Sequence, residues 1–131
     1  MTLMDNPLLE PAELARGREI RRQVLGEKHV ASSHAVDALA QPKTRLSEYV
    51  WSKIWARPGL SLKQRSIATL AMLTALNRPH ELKLHVQGAL NNGLTKEEIS
   101  EVLLQSGVYC GLPAAVESFR IMQEVFKEGD G

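Results

Sequence analysis

Apolar residues recur at helical spacing along most of the chain, and no stretch shows strand alternation between hairpin turns. The segment "SIATLAMLTAL" (66–76) is apolar nearly all round, the pattern of a buried central helix. Ser61 and Gln64 make a capping box ahead of it, each side chain positioned to satisfy the other's backbone N–H. In "PHELKLHVQGALNN" (79–92), Leu82, Val86 and Ala89 form a stripe on one face. Pro79 opens that helix near its first turn and Gly93 closes it. A second capping box, Thr95 and Glu98, starts "KEEISEVLLQSGVYC", whose stripe runs Ile99, Val102, Leu103, Ser106, Cys110. Gly111 stops this helix, and Pro113 starts a last one, "AAVESFRIMQEVFKE".

The first half is less regular. "PAELARGREIRRQVLG" predicts a helix with Pro11 in its first turn and Gly26 as its stop, after a loose arm over residues 1–10. "EKHVASSHAVDALAQPKT" reads as irregular, with Pro42 as a breaker. "RLSEYVWSKIWARPG" predicts a helix whose three-four spacing falls on Leu46, Tyr49 or Val50, and Lys53 or Ile54, ending at Pro58-Gly59. The expected fold is all-α: a single-domain helical bundle of five or six helices spanning 1–131.

Composition narrows the function more than the fold. With 131 residues, 44% hydrophobic and 24% charged, the chain has the make-up of one globular domain. A domain this short gains from burying further surface in an oligomer. The net charge of +1 offers no basic excess for nucleic acid. No apolar run is long enough to span a membrane, and the N-terminus lacks the pattern of a secretory signal. One cysteine cannot close an intrachain disulfide, which makes a cytoplasmic protein the expectation.

The chemistry centres on "HELKLH" (80–85), one residue longer than the His-Glu-x-x-His motif of zinc proteases. Five residues of helix turn through roughly 500°, which leaves His80 and His85 about 140° apart around the axis. They cannot chelate one ion from a regular helix, so no metal is expected. Arg78, Glu81 and His85, spaced three and then four, form a row beside the apolar stripe. Glu81 and His85 are neighbours on that row. The spacing alone fits an ordinary solvated Glu–His pair as well as a working one. Cys110, on its helix stripe, reads as a buried structural thiol. Trp51 and Trp55 read as core or subunit interface, and Arg21–Arg22 as solvated charge. Arg65 lies in a first helical turn, where the helix dipole slightly disfavours a cation; that hints at an anion to hold.

The stretch from "RPGLSLKQRSIATL" through "NRPHELKLHVQGALNNGLTKEEISEVLLQSGVYCGLPAAVESF" resembles the carboxymuconolactone decarboxylase family, within the wider group of alkyl-hydroperoxidase D-like proteins. "GREIRRQVLGEKHV" and "YVWSKIWARPGL" point to the members that act on γ-carboxymuconolactone. The resemblance covers roughly residues 16 to 126 and implies the alkyl-hydroperoxidase D-like helical fold. It implies cofactor-free decarboxylation of γ-carboxymuconolactone to β-ketoadipate enol-lactone, in the protocatechuate branch of aromatic catabolism. Glu81 and His85 would be catalytic; Arg22, His29, Arg65 and Arg78 would bind the dicarboxylate lactone. A ring-like homohexamer, a trimer of dimers, is implied as well. Peroxidase relatives carry Cys-x-x-Cys-x-x-x-His on the equivalent helix; with the histidine laid on His85, the cysteine places fall on Arg78 and Glu81. Two other readings stay open: a relative of the peroxidase and disulfide-reductase branch, and a non-catalytic oligomeric binding protein of the same fold.

Overall fold

The computed structural model describes residues 6–32 and 39–130, in two compact units, Met1–Leu60 and Ser61–Gly131. Among the described residues there are seven α-helices and no strand: α1 (Pro11–Leu25), α2 (Glu27–Ser32), α3 (Gln41–Tyr49), α4 (Leu62–Ala75), α5 (Pro79–Asn91), α6 (Lys96–Cys110) and α7 (Leu112–Asp130). A π-helical segment, Val50–Trp55, continues α3.

In the first unit, α1 packs on the π-helical segment. Leu14, Gly17, Ile20 and Val24 form the inward face of α1, meeting Trp51, Ser52 and Trp55. The two indoles lie 4.8 Å apart, tilted by 32°. Gly17 is needed at this crossing, because a Cβ there would lie 2.7 Å from both the Cα and the N of Ser52. Ion pairs flank it: Lys53 with Glu13, and Arg18 with Glu48 at 2.7 Å.

Four expectations for this half need correction. Leu46, Val50 and Ile54 face outward, and the tryptophans take the inward face instead. Indoles remove more apolar surface from water than the aliphatic side chains they displace. Pro42 starts α3 from its first turn, where its missing N–H costs nothing, rather than breaking the chain. Residues 27–32 form a short helix; the rest of the stretch expected to be irregular falls largely on residues 33–38, outside those described. The supposed loose arm is anchored at its end. Leu9 is buried, and Asn6, also buried, donates to the Arg45 carbonyl at 3.0 Å and to Glu48 at 3.3 Å. Residues 1–5 lie outside the described residues.

The second unit holds the larger core. Leu70, Leu82, Val86, Ala89, Leu94, Ile99, Leu103, Ile121, Met122 and Val125 are buried together, drawn from α4, α5, α6, α7 and the link before α6. Both capping boxes form, Ser61–Gln64 and Thr95–Glu98. The turn between α4 and α5 is a Schellman motif: Arg78 N–H donates to the Leu73 carbonyl and Asn77 N–H to that of Thr74. Asn77 takes the left-handed φ of 56° that this motif requires and asparagine tolerates. The same motif ends α5, with Leu94 N–H on the Ala89 carbonyl and Gly93 at φ 95°.

Helix α4 departs from its expected all-round burial. Its buried line is Ser66, Leu70 and Thr74, while Ile67, Met72 and Leu76 are exposed. The buried hydroxyls are satisfied. Thr74 Oγ1 donates to the Leu70 carbonyl at 2.8 Å and lies 3.2 Å from Ser118 Oγ, and Asn92 Nδ2 donates to Ser66 Oγ at 2.8 Å. Small side chains on the inward line let neighbouring helices approach α4, which leaves its bulkier residues outside.

Gly17→Ala forces the two backbones apart, and the expected cost is about 1–3 kcal/mol. Urea unfolding followed by the fluorescence of Trp51 and Trp55 reads it. Glu98 gives a pH-dependent outcome. The backbone N–H of Thr95 holds its carboxyl below the usual glutamate range. A depressed folded pKa stabilises the chain above the unfolded value, and that contribution disappears as pH falls through the folded one. Glu98→Gln keeps the box but loses the charge, so the variant should be less stable than the wild type at pH 7, and the gap should narrow as pH falls into the acid range.

Candidate active site

Helix α5 carries the row singled out by spacing. Its stripe, Leu82, Val86 and Ala89, is buried as expected. Arg78, Glu81 and His85 lie roughly 70° around the axis from the centre of that stripe. Arg78 is the last residue of the Schellman turn and the N-cap of α5, so both helices fix its backbone. Glu81 is in the first turn of α5 and exposed; His85, one turn on, is half-buried. The helix N-terminus that begins at Arg78 adds a partial positive charge of its own. One end of α5 therefore combines a cation, a carboxylate and an imidazole on one edge of a packed helix. Arg65, half-buried, belongs to the first turns of α4, in the same unit.

The remaining two candidates are in the first unit. Arg22 on α1 forms ion pairs with Glu19 and with Glu27, the latter at 3.0 Å. His29 is half-buried on α2.

Two further residues depart from expectation. Cys110 is exposed, not buried, because its stripe leaves the core after Ser106. Arg21 is not solvated charge. Burial pushes its guanidinium pKa down, and the nearby Glu48 carboxylate partly offsets this. Glu48 also accepts from Arg18 Nε at 2.8 Å. The sequence held a signal for Arg21, which lies between the inward positions Gly17 and Val24 at helical spacing. Among the described residues, no group of three or more His, Cys, Asp or Glu side chains is placed to hold a metal ion. An open hollow of about 320 Å³ is lined by α6 alone, from Glu101 to Tyr109, and includes none of the six candidates.

Residues 40–124 match the model of the carboxymuconolactone decarboxylase family. The chain belongs to that family. It is 41% identical over 115 residues to a 4-carboxymuconolactone decarboxylase of Acinetobacter baylyi, with 86% of each chain covered. It is 36% identical over 114 residues to a nitrosuccinic acid decarboxylase of Metarhizium robertsii, covering 86% of this chain and 80% of the relative. A 15.0 kDa protein of Paracoccus denitrificans is 37% identical over 86 residues, 63% of each chain. Arg65, Arg78, Glu81 and His85 all fall inside the stretch matched to the carboxymuconolactone decarboxylase family; Arg22 and His29 precede it.

The ion pairs of Arg22 are surface pairs, which contribute about 0–1 kcal/mol. Arg22→Ala should therefore leave the urea midpoint nearly unchanged. A loss of turnover in that variant would then report a role in binding rather than in folding.

Proposed function

We propose that this protein decarboxylates γ-carboxymuconolactone to β-ketoadipate enol-lactone without a cofactor. The observation that carries the reading is the match, over most of both chains, to a relative named for that reaction. In the proposed step the bond from ring carbon to carboxylate breaks and carbon dioxide leaves. The electron pair passes into the ring double bond and lactone carbonyl as a dienolate, and one proton then adds to ring carbon. The substrate supplies its own electron sink. The second relative fits the same logic, since a nitro group beside the departing carboxylate also accepts an electron pair.

The protein's part is to hold a dianion, stabilise the oxyanion and deliver a proton. Arginine forks suit the first task, and positioned donors the second. Arg65 and Arg78 take the carboxylates in this scheme, with Arg22 and His29 as further substrate-binding residues. His85 is the proton donor, because an imidazole titrates near working pH. Glu81 orients the ring and favours its charged form. The reverse assignment, with Glu81 as acid and His85 as oxyanion donor, uses the same two residues. We place the enzyme in the cytoplasm as a single domain assembled into a homohexamer, a trimer of dimers. The exposed apolar faces of α4, α6 and α7 support self-association, and the lone cysteine suits a reducing compartment.

His85→Ala and Glu81→Gln should each lower kcat on γ-carboxymuconolactone by about 10²–10⁴ with the fold retained. The double variant should lose far less than the product of the two, because the pair acts as a unit. Turnover should survive prolonged chelation and Cys110→Ser. Wild-type rates in both single variants would move the site elsewhere; turnover of nitrosuccinate in place of the lactone would overturn the substrate.

A further inference from the structure

The backbone that carries Arg78 is locked from both sides. Asn77 holds a φ of 56°, and among the described residues no other residue except glycine has a positive φ. Pro79 follows, and a proline ring disfavours the helical region for the residue before it. Arg78 accordingly stands at φ −112°, ψ 78°, outside that region. Its backbone polar groups are also engaged: the N–H donates to the Leu73 carbonyl at 3.0 Å, and the carbonyl accepts from Leu82 N–H at 2.9 Å. The point from which the Arg78 side chain leaves is therefore set by its neighbours in sequence. The consequence is electrostatic. Arg120 pairs with Glu117 at 2.6 Å and with Glu124, and Arg22 pairs with Glu19, all at three or four residues along a helix. Arg78 and Glu81 have the same spacing and do not pair; among the described residues neither side chain makes an ion pair or a hydrogen bond. The non-helical backbone of Arg78 gives its side chain a different exit from those of Arg22 and Arg120, and both charges stay unneutralised at that end of α5.

We propose that Asn77 is a positioning residue for the decarboxylation: its left-handed backbone keeps the Arg78 guanidinium from pairing with Glu81 and leaves it for a substrate carboxylate. The proposal rests on the reading of Arg78 as a carboxylate ligand, and it adds a residue that acts only through Arg78. A β-branched side chain rarely adopts a left-handed φ. With one at position 77 the Schellman turn gives way, the start of the Arg78 side chain moves, and nothing holds the guanidinium off Glu81. The stripe of Leu82, Val86 and Ala89 still anchors α5, so His85 keeps its place. The loss therefore falls on binding, which is shared by substrate and transition state, and not on proton delivery.

The test is steady-state kinetics on γ-carboxymuconolactone for Asn77→Val, Asn77→Gly, Arg78→Ala and the double variant Asn77→Val/Arg78→Ala, with folding checked by circular dichroism. Asn77→Val should raise KM about tenfold, as a displaced positioning group does, with kcat nearly unchanged. Asn77→Gly takes the same φ without strain and should keep the wild-type KM. Arg78→Ala should raise KM by as much or more, and adding Asn77→Val to it should raise KM no further, because the two changes remove one interaction. A turn with a merely structural role behaves otherwise: the Asn77→Val loss persists in the Arg78→Ala background, or falls on kcat and stability with KM unchanged. Either result overturns the inference, as does a wild-type KM in Arg78→Ala. If Asn77→Val fails to fold, Asn77→Ala, the milder change, decides by the same comparison. An active wild type with no KM change at position 77 overturns this role alone, whereas a wild type that leaves the lactone intact overturns the reaction and the role together.

Discussion

Burial of one short stripe, Leu82, Val86 and Ala89, sets the orientation of everything that matters in the second unit. These three side chains are almost fully buried, and helix α5 that carries them packs on α4 and α7. Burying a leucine and a valine contributes about 1.5–3 kcal/mol each. Rolling α5 by a quarter turn would lose most of that and bring Glu81 towards the core. The stripe therefore holds the Arg78, Glu81, His85 row at the edge of the packed face. The Schellman turn at Leu73–Arg78 fixes the other degree of freedom, the point along the chain at which α5 begins.

Such constraints are local, which is why they were legible. Both capping boxes, Pro79 and Pro113 in their first turns, and the stops at Gly26, Gly93 and Gly111 act within a few residues of themselves. The stripe on α5 is equally a matter of spacing. What the sequence could not convey was competition between faces. In 45–59 two faces were apolar enough to turn inward, and the choice depended on Gly17, thirty-five positions earlier, offering a flat surface for Ser52 and the indoles beside it. The π-helical segment belongs to that same packing and leaves no periodicity to read in advance.

Helix α4 and Cys110 misled for a related reason. An all-round apolar helix implies full burial only if the chain's own elements supply the cover. In this chain the inward line of α4 is Ser66, Leu70 and Thr74, closed by hydrogen bonds from Asn92 and with Ser118, both remote in sequence. Ile67, Met72 and Leu76 are left outside, and so is the C-terminal turn of α6 with Cys110. Hydrophobicity in the sequence measured the surface that needs covering, and did not distinguish cover by the same chain from cover by another.

The candidate site was legible in residue type but not in assembly. Arg65, Arg78, Glu81 and His85 fall within one unit and within the stretch matched to the family. In the proposed scheme their types are assigned to the needs of a decarboxylation in which the substrate takes up its own electrons: cations for carboxylates, donors for an oxyanion, one proton. The relatives make that point sharper, since one is named for a lactone acid and the other for a nitro acid. A lactone carbonyl and a nitro group share little shape, but each turns the departing carboxylate's electron pair into negative charge on oxygen. A fold serving both would have to hold its positive field steady and vary the pocket around it. The N-terminus of α5 carries a partial positive charge from its backbone, and the position of Arg78 follows from helix and turn geometry rather than from the identity of any substrate.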